Sequence, residues 1–192
     1  MKISVNQKLV CVSKTLLLIS RVLLGLLIFI ALVPWIFPTS DFNYFIVSLY
    51  SFAHLIDAHD VPYFFQHISL LSRCLAIVGS LVSLFPLLMG TIILIKLAKN
   101  YIQGQVFNLF NAKSYRKLGW IYLLSALFLQ PLAQVFFSLS ISFIHEHIGK
   151  RFIAISIDVN TLTQIFFAMV LVIIGHVMQL AQRMQAEQDL TI

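Results

Sequence analysis

Four long apolar stretches dominate the chain: Leu16 to Phe37, Cys74 to Leu97, Leu118 to Ile144 and Leu162 to Leu180. A helix rises about 1.5 Å per residue, so about 20 apolar residues cross the roughly 30 Å hydrocarbon core of a bilayer. Each stretch meets that length. Backbone N–H and C=O groups in lipid must be satisfied internally, which leaves helices and closed barrels as the spanning forms. None of the four alternates apolar and polar residues as the strands of a membrane barrel do. The pattern predicts an all-α, polytopic membrane protein, a four-transmembrane-helix bundle forming one membrane domain over residues 1–192. Composition agrees: 60% of residues are hydrophobic and 10% charged, whereas soluble domains run about 45–50% apolar and about 25% charged.

The first stretch reads as an anchor and not as a cleaved leader. Its polar start, Met1 to Thr15, is long, no small-residue cleavage site follows, and Pro34 to Pro38 stands where one belongs. Cys11 precedes the apolar core and the C-terminus has no lipidation box. Cys11 and Cys74 are expected on opposite faces of the membrane, too far apart for a disulfide.

Charge sets the orientation, because Lys and Arg near span ends and in short loops stay cytoplasmic. Lys2, Lys8, Lys14 and Arg21 lie at the N-terminal end, Lys96, Lys99, Lys113, Arg116 and Lys117 around the second connection (98–117), and Arg183 in the tail (181–192). Only Arg73, Lys150 and Arg151 fall on the other side, together with five acids, Asp41, Asp57, Asp60, Glu146 and Asp158. Both termini are therefore expected in the cytoplasm. The formal net charge of +6 marks the face that meets anionic lipid. Nucleic acid is not an expected partner, since no reading module is present.

The first outer connection (38–72) holds Phe42, Phe45, Ile46, Leu49, Phe52, Ala53 and Ile56 at helical spacing, with polar residues on the other faces. This predicts an outer amphipathic helix capped by Ser40 or Asp41 and lying on the membrane surface or over the bundle. Tyr63 to Ser72 is expected to begin the helix that becomes span two. At the inner connection, Gly104 is a natural helix stop and Asn108 a natural cap for a short basic helix running through Lys113, Arg116 and Lys117 into span three. Ile153 to Val159 alternates weakly and suits an extended segment. The tail from Gln179 to Gln188 is expected to continue span four as a polar helix.

The segments Asn100-Tyr101-Ile102-Gln103-Gly104-Gln105-Val106-Phe107 and Tyr115-Arg116-Lys117-Leu118-Gly119-Trp120, with the ending Ala186-Glu187-Gln188-Asp189-Leu190-Thr191-Ile192, resemble a bacterial inner-membrane family catalogued as domain of unknown function two-nine-seven-five. The resemblance covers most of the chain from span two onward, and the tail is its most specific part. It implies a four-span protein with a Gly-x-x-Phe inner loop. It brings no catalytic or binding residues. It implies a regulatory setting, in that some members look to be encoded beside small helix-turn-helix regulators.

Candidate sites follow from polar residues in costly places. Gln130 and Gln134 are one turn apart in mid-span three around Pro131, and Pro86 lies at similar depth in span two. An amide in hydrocarbon must be satisfied, so both should face the interior. They form either a midplane site between two broken helices, as in transporters, or interhelical glue. Glue carries more weight, since no intramembrane acid accompanies the pair. His176, toward the inner leaflet of span four, is the third midplane candidate. Ala76, Gly79, Ser80 and Ser83 give span two a small-residue face for a helix of this chain or of a second copy.

On the outer side, His54, Asp57 and His59 with His145 and His147 suit a zinc, copper or nickel site, or a pH sensor. Neither spacing is a strong signature. Glu187 and Asp189 in the tail either end a frayed helix or dock, on Lys113, Arg116 or Lys117 or on a cytoplasmic partner. No nucleophile triad, phosphate loop or cysteine metal motif occurs. The sequence thus predicts a non-enzymatic membrane module, regulatory or partner-binding, with no cofactor. Its expected partners are the lipid bilayer, a second copy or another membrane protein. The alternatives are a small transporter or channel subunit and an outer metal or pH sensor.

Overall fold

A computed structural model describes residues 5–36, 68–106, 108–143, 153, 155–157 and 159–189. Helices α1 (Val5–Ile36), α2 (Leu70–Ile102), α3 (Leu109–Leu124), α4 (Gln130–Ser142) and α5 (Val159–Asp189) follow in chain order, with one π-helical turn, Ser125–Leu129, joining α3 to α4. No strand occurs among the described residues. Among the described residues, four helical stretches are long and apolar enough to cross a membrane: Lys8–Val33, Leu70–Ile102, Leu109–Ser142 and Val159–Met184. The chain is a multi-pass membrane protein. The predicted outer amphipathic helix lies outside the described residues.

The helices overrun the apolar stretches at most ends because each end has its own stop. Span two begins at Leu70 and not at Tyr63, since Ile68 and Ser69 are not helical. The Ser69 hydroxyl accepts from the Ser72 backbone amide at 3.1 Å and caps the helix. The far end of α2 closes in a Schellman motif. The Gln105 amide donates to the Asn100 carbonyl at 3.0 Å and the Gly104 amide to the Tyr101 carbonyl at 3.1 Å. Gly104 takes φ +76°, a left-handed conformation that glycine adopts without steric cost. Asn108 then caps α3, its side chain accepting from the Phe110 amide. At the other end of the chain, α5 runs unbroken through the tail to Asp189. Ile155, Ser156 and Ile157 have no regular structure.

Contacts group the residues into two compact units. The first holds Met1–Gly25, Pro86–Ser125 and Val159–Ile192; the second holds Leu26–Phe85 and Ala126–Asp158.

In the first unit, α3 and α5 approach at two glycines. A Cβ on Gly119 would stand 2.8 Å from the Ala168 carbonyl oxygen and 2.6 Å from Val172 Cγ2. A Cβ on Gly175 would stand 2.8 Å from the Arg116 amide and 3.1 Å from the Ala112 carbonyl oxygen. Ile93 and Leu97 of α2 pack with Leu118 of α3, and Tyr115 and Tyr122 flank them.

In the second unit, Trp35 is 1% exposed and donates from Nε1 to the Ser80 hydroxyl at 2.8 Å, which in turn donates to the Ala76 carbonyl. Phe137 stacks on Trp35 at 6.4 Å and lies against Gly79. The small-residue face of α2 is therefore filled by this chain's own aromatic rings.

Candidate functional site

The α2–α3 turn is the most elaborate polar construction in the first unit. Its centre is Asn111, 0% exposed. The Asn111 amide nitrogen donates to the carbonyls of Gln105 (2.6 Å) and Val106 (3.0 Å), and its oxygen accepts from the Asn100 amide at 2.8 Å. One side chain thus satisfies two loop carbonyls and ties the last turn of α2 to the first turn of α3. Asn108 reaches back to the Gln105 side chain at 3.2 Å, and the Tyr101 and Tyr115 hydroxyls bond at 2.8 Å. The result is a fixed hairpin whose charged side chains point away: Lys99, Lys113 and Lys117 are exposed. Half-buried Arg116 donates to Gln179 of α5 at 3.5 Å, a long and weak bond.

In the second unit the polar centre is Gln134, 2% exposed. Its amide nitrogen donates to the Ser156 carbonyl at 3.1 Å and its oxygen accepts from the Ser156 amide at 2.7 Å. This two-point pairing copies a strand ladder, with a side-chain amide standing in for a neighbouring strand. Ser156 is thereby held level with a residue eight positions before the end of α4, which is about 12 Å along the helix axis. Ser156 therefore lies beside α4.

The sequence candidates scatter. Gln130 is half-buried, and its Oε1 is buried without a hydrogen-bond partner, as is the hydroxyl of Ser125. Gln134 is committed to Ser156. His176 lies on the exposed face of α5 between Ile173 and Leu180. His54, Asp57, His59, His145 and His147 lie outside the described residues, as does the side chain of Asp189; Glu187 is exposed near the end of α5. Among the described residues, no group of three or more His, Cys, Asp or Glu is placed to hold a metal ion. Both cysteines are free thiols. Asn111, the hub of the turn, is not marked as a site by the sequence pattern. Its only signal was an amide three positions after the cap, on the side of the helix that turns toward α2.

The family model described as Protein of unknown function (DUF2975) matches residues 42–192. The chain belongs to this family. The match reaches back through the first connection, further than the motifs of the inner turn and tail alone extend. No curated protein matches the chain, and no solved structure does. For this DUF2975 chain the α2–α3 turn and the α5 terminus, which carry the motifs, both fall in the first unit.

Proposed function

We propose that this DUF2975 protein is a non-enzymatic module of the bacterial inner membrane that docks a protein partner on its α2–α3 turn. The observation that carries the reading is the fully buried Asn111, which spends all three of its bonds on fixing a turn whose lysines face outward. Ordering a loop costs about 1–2 kcal/mol per residue in backbone entropy. A turn ordered in advance spares a partner that cost on binding. Lys99, Lys113 and Lys117 suit an acidic patch on that partner. The charge asymmetry of the connections supports placing this turn and both termini in the cytoplasm. An even number of crossings supports having the two ends on one side.

The test is crosslinking in native membranes through a photoreactive residue at position 110, an exposed site beside the turn. A defined protein band is expected from the wild type. It should disappear in Lys113→Glu/Lys117→Glu while membrane levels hold. An identical set of bands from both proteins would count against the reading.

A transporter or channel role has one observation in its favour, the unpartnered Gln130 oxygen beside the π-helical turn. Flux through protein-containing liposomes that vanishes in Gln130→Ala would promote it. Flux absent from the wild type would remove it.

A further inference from the structure

Neither α2 nor α3 contains an Asp or Glu, and four of their lysines, Lys96, Lys99, Lys113 and Lys117, are exposed. All four lie in the first unit, where the acid with a described side chain is Glu187, far along α5. Contacts between the two helices fix how the lysines line up. Gly90 faces Tyr122, whose hydroxyl would stand 3.0 Å from an added Cβ, and Asn100 bonds to Asn111 at 2.8 Å. Counting inward from both contacts puts Lys96 level with Lys117 and Lys99 level with Lys113, each to within about two residues, or about 3 Å along the axis.

Lys96 and Lys117 also turn to the same side of the pair. Lys96 precedes Leu97 and Lys117 precedes Leu118, and those two leucines pack in one buried cluster. A helix turns about 100° per residue, and in an antiparallel pair the positions just before two facing residues rotate toward the same side. The opposite side of α3 begins at Gly119, where α5 packs with Ala168 and Val172. Ile92 and Trp120, each about one turn from a lysine toward the apolar part of its span, are 38% and 50% exposed. Exposed Trp followed by exposed Lys marks the level where hydrocarbon gives way to headgroups, with the ammonium reaching outward. Two ammonium groups thus stand at phosphate depth across a helix spacing of about 8–10 Å. Lys99 and Lys113 stand one turn further out. Like charges so placed repel, and an anion among them reverses the sign of the interaction.

We propose that Lys96 and Lys117 hold the phosphate of an anionic phospholipid in the leaflet on the side of the α2–α3 turn. Each lysine acts as a point charge on the phosphate, and Lys99 and Lys113 flank the headgroup on its outer side. Lipid is the source of the phosphate because Ile92 and Trp120 give its acyl chains an apolar surface beside the lysines. The site shares Lys117 with the partner-docking surface but does not rest on that reading, since the lipid is held without any partner.

Native mass spectrometry of the delipidated full-length protein, with phosphatidylglycerol or phosphatidylcholine added back, tests the site. The wild type should retain phosphatidylglycerol in preference. Each lysine beside an anionic headgroup is worth about fivefold in affinity, so Lys96→Gln/Lys117→Gln should bind about 30-fold more weakly. Lys8→Gln/Lys14→Gln, which removes two exposed lysines of α1, should match the wild type. Equal retention of the two lipids by the wild type overturns the proposal, as does unchanged retention in Lys96→Gln/Lys117→Gln or an equal loss in the α1 variant. Where the double variant does not fold, Lys96→Gln replaces it: about fivefold weaker binding is expected, and unchanged binding overturns the proposal. A melting temperature raised by inorganic phosphate, with no phosphatidylglycerol retained, also overturns it, in favour of a free-ion site. Photocrosslinking from position 110 separates the lipid site from the docking reading. A Lys96→Gln/Lys117→Gln protein that keeps the lipid and loses the protein band overturns the lipid site alone; loss of lipid in that variant, with no band from the wild type, supports the lipid site and overturns docking alone.

Discussion

Single atoms decide whether α3 and α5 can approach. At Gly119 an added Cβ meets backbone at 2.8 and 2.9 Å, and backbone cannot swing aside as a flexible side chain can. Gly119→Ala is therefore expected to destabilise by about 1–3 kcal/mol, the usual cost of overfilling a tight contact. Gly25→Ala, where nothing lies within 4 Å, should be neutral or stabilising by about 0.5–1 kcal/mol through helix propensity. Thermal unfolding in detergent followed by circular dichroism checks the pair, and equal melting temperatures would show that the close approach is not made. Asn111→Ala removes the partner of two loop carbonyls and of the Asn100 side-chain amide, all part-buried, and is expected to destabilise by about 1–3 kcal/mol in all. Amide hydrogen exchange in residues 99–111 should accelerate in this variant, while that in α5 holds. Such local roles were partly legible. Gly104 and Asn108 announce themselves by residue type and spacing, because a stop and a cap are written within four residues of chain. Asn111 and the Gln134–Ser156 pair were not legible as contacts, because their partners are fixed by how the chain folds back and not by spacing.

The span from Leu109 to Ser142 contains its own correction. Pro131 cannot donate to the Leu127 carbonyl, and its ring crowds that same oxygen. The π-helical turn at Ser125–Leu129 widens the helix just before the proline, and such a turn holds one residue more than the regular helix. Removing a residue here, together with the proline, should restore a plain helix with the face of α4 unchanged. Deletion of Phe128 with Pro131→Ala is expected to fold in wild-type yield. Deleting the comparably exposed Leu81 (43% exposed against 65% for Phe128) turns the rest of α2 by about 100°. It should move Arg73 away from the face it shares with the residues beyond and lower the yield of folded protein. If both deletions fold equally well, the turn is not a one-residue insertion. The apolar stretches made the number and order of helices legible, since oil demands length and greasiness. The wide turn was not legible, because proline in a span is compatible with several local repairs.

At the scale of the whole chain, the four crossings are unequal. The spans of α1 and α5 bury 17% of their best window, against 44% for α2 and for the α3–α4 span. Among the described residues, α1 and α5 therefore leave most of their apolar surface exposed. Fluorescent and phosphatase reporters check the crossing count. Fusions at the two ends should report the same compartment, and a fusion in residues 144–152 the opposite one; agreement of all three positions would break the topology. The chain has two tryptophans, and they fall one to each compact unit: Trp35, sealed and bonded to Ser80, and Trp120, 50% exposed. Nature has thus built in two optical probes with separate surroundings. In Trp120→Phe the remaining emission belongs to the Trp35 neighbourhood alone, and in Trp35→Phe to the other. Comparing their denaturation curves tells whether the halves come apart in one event or in two.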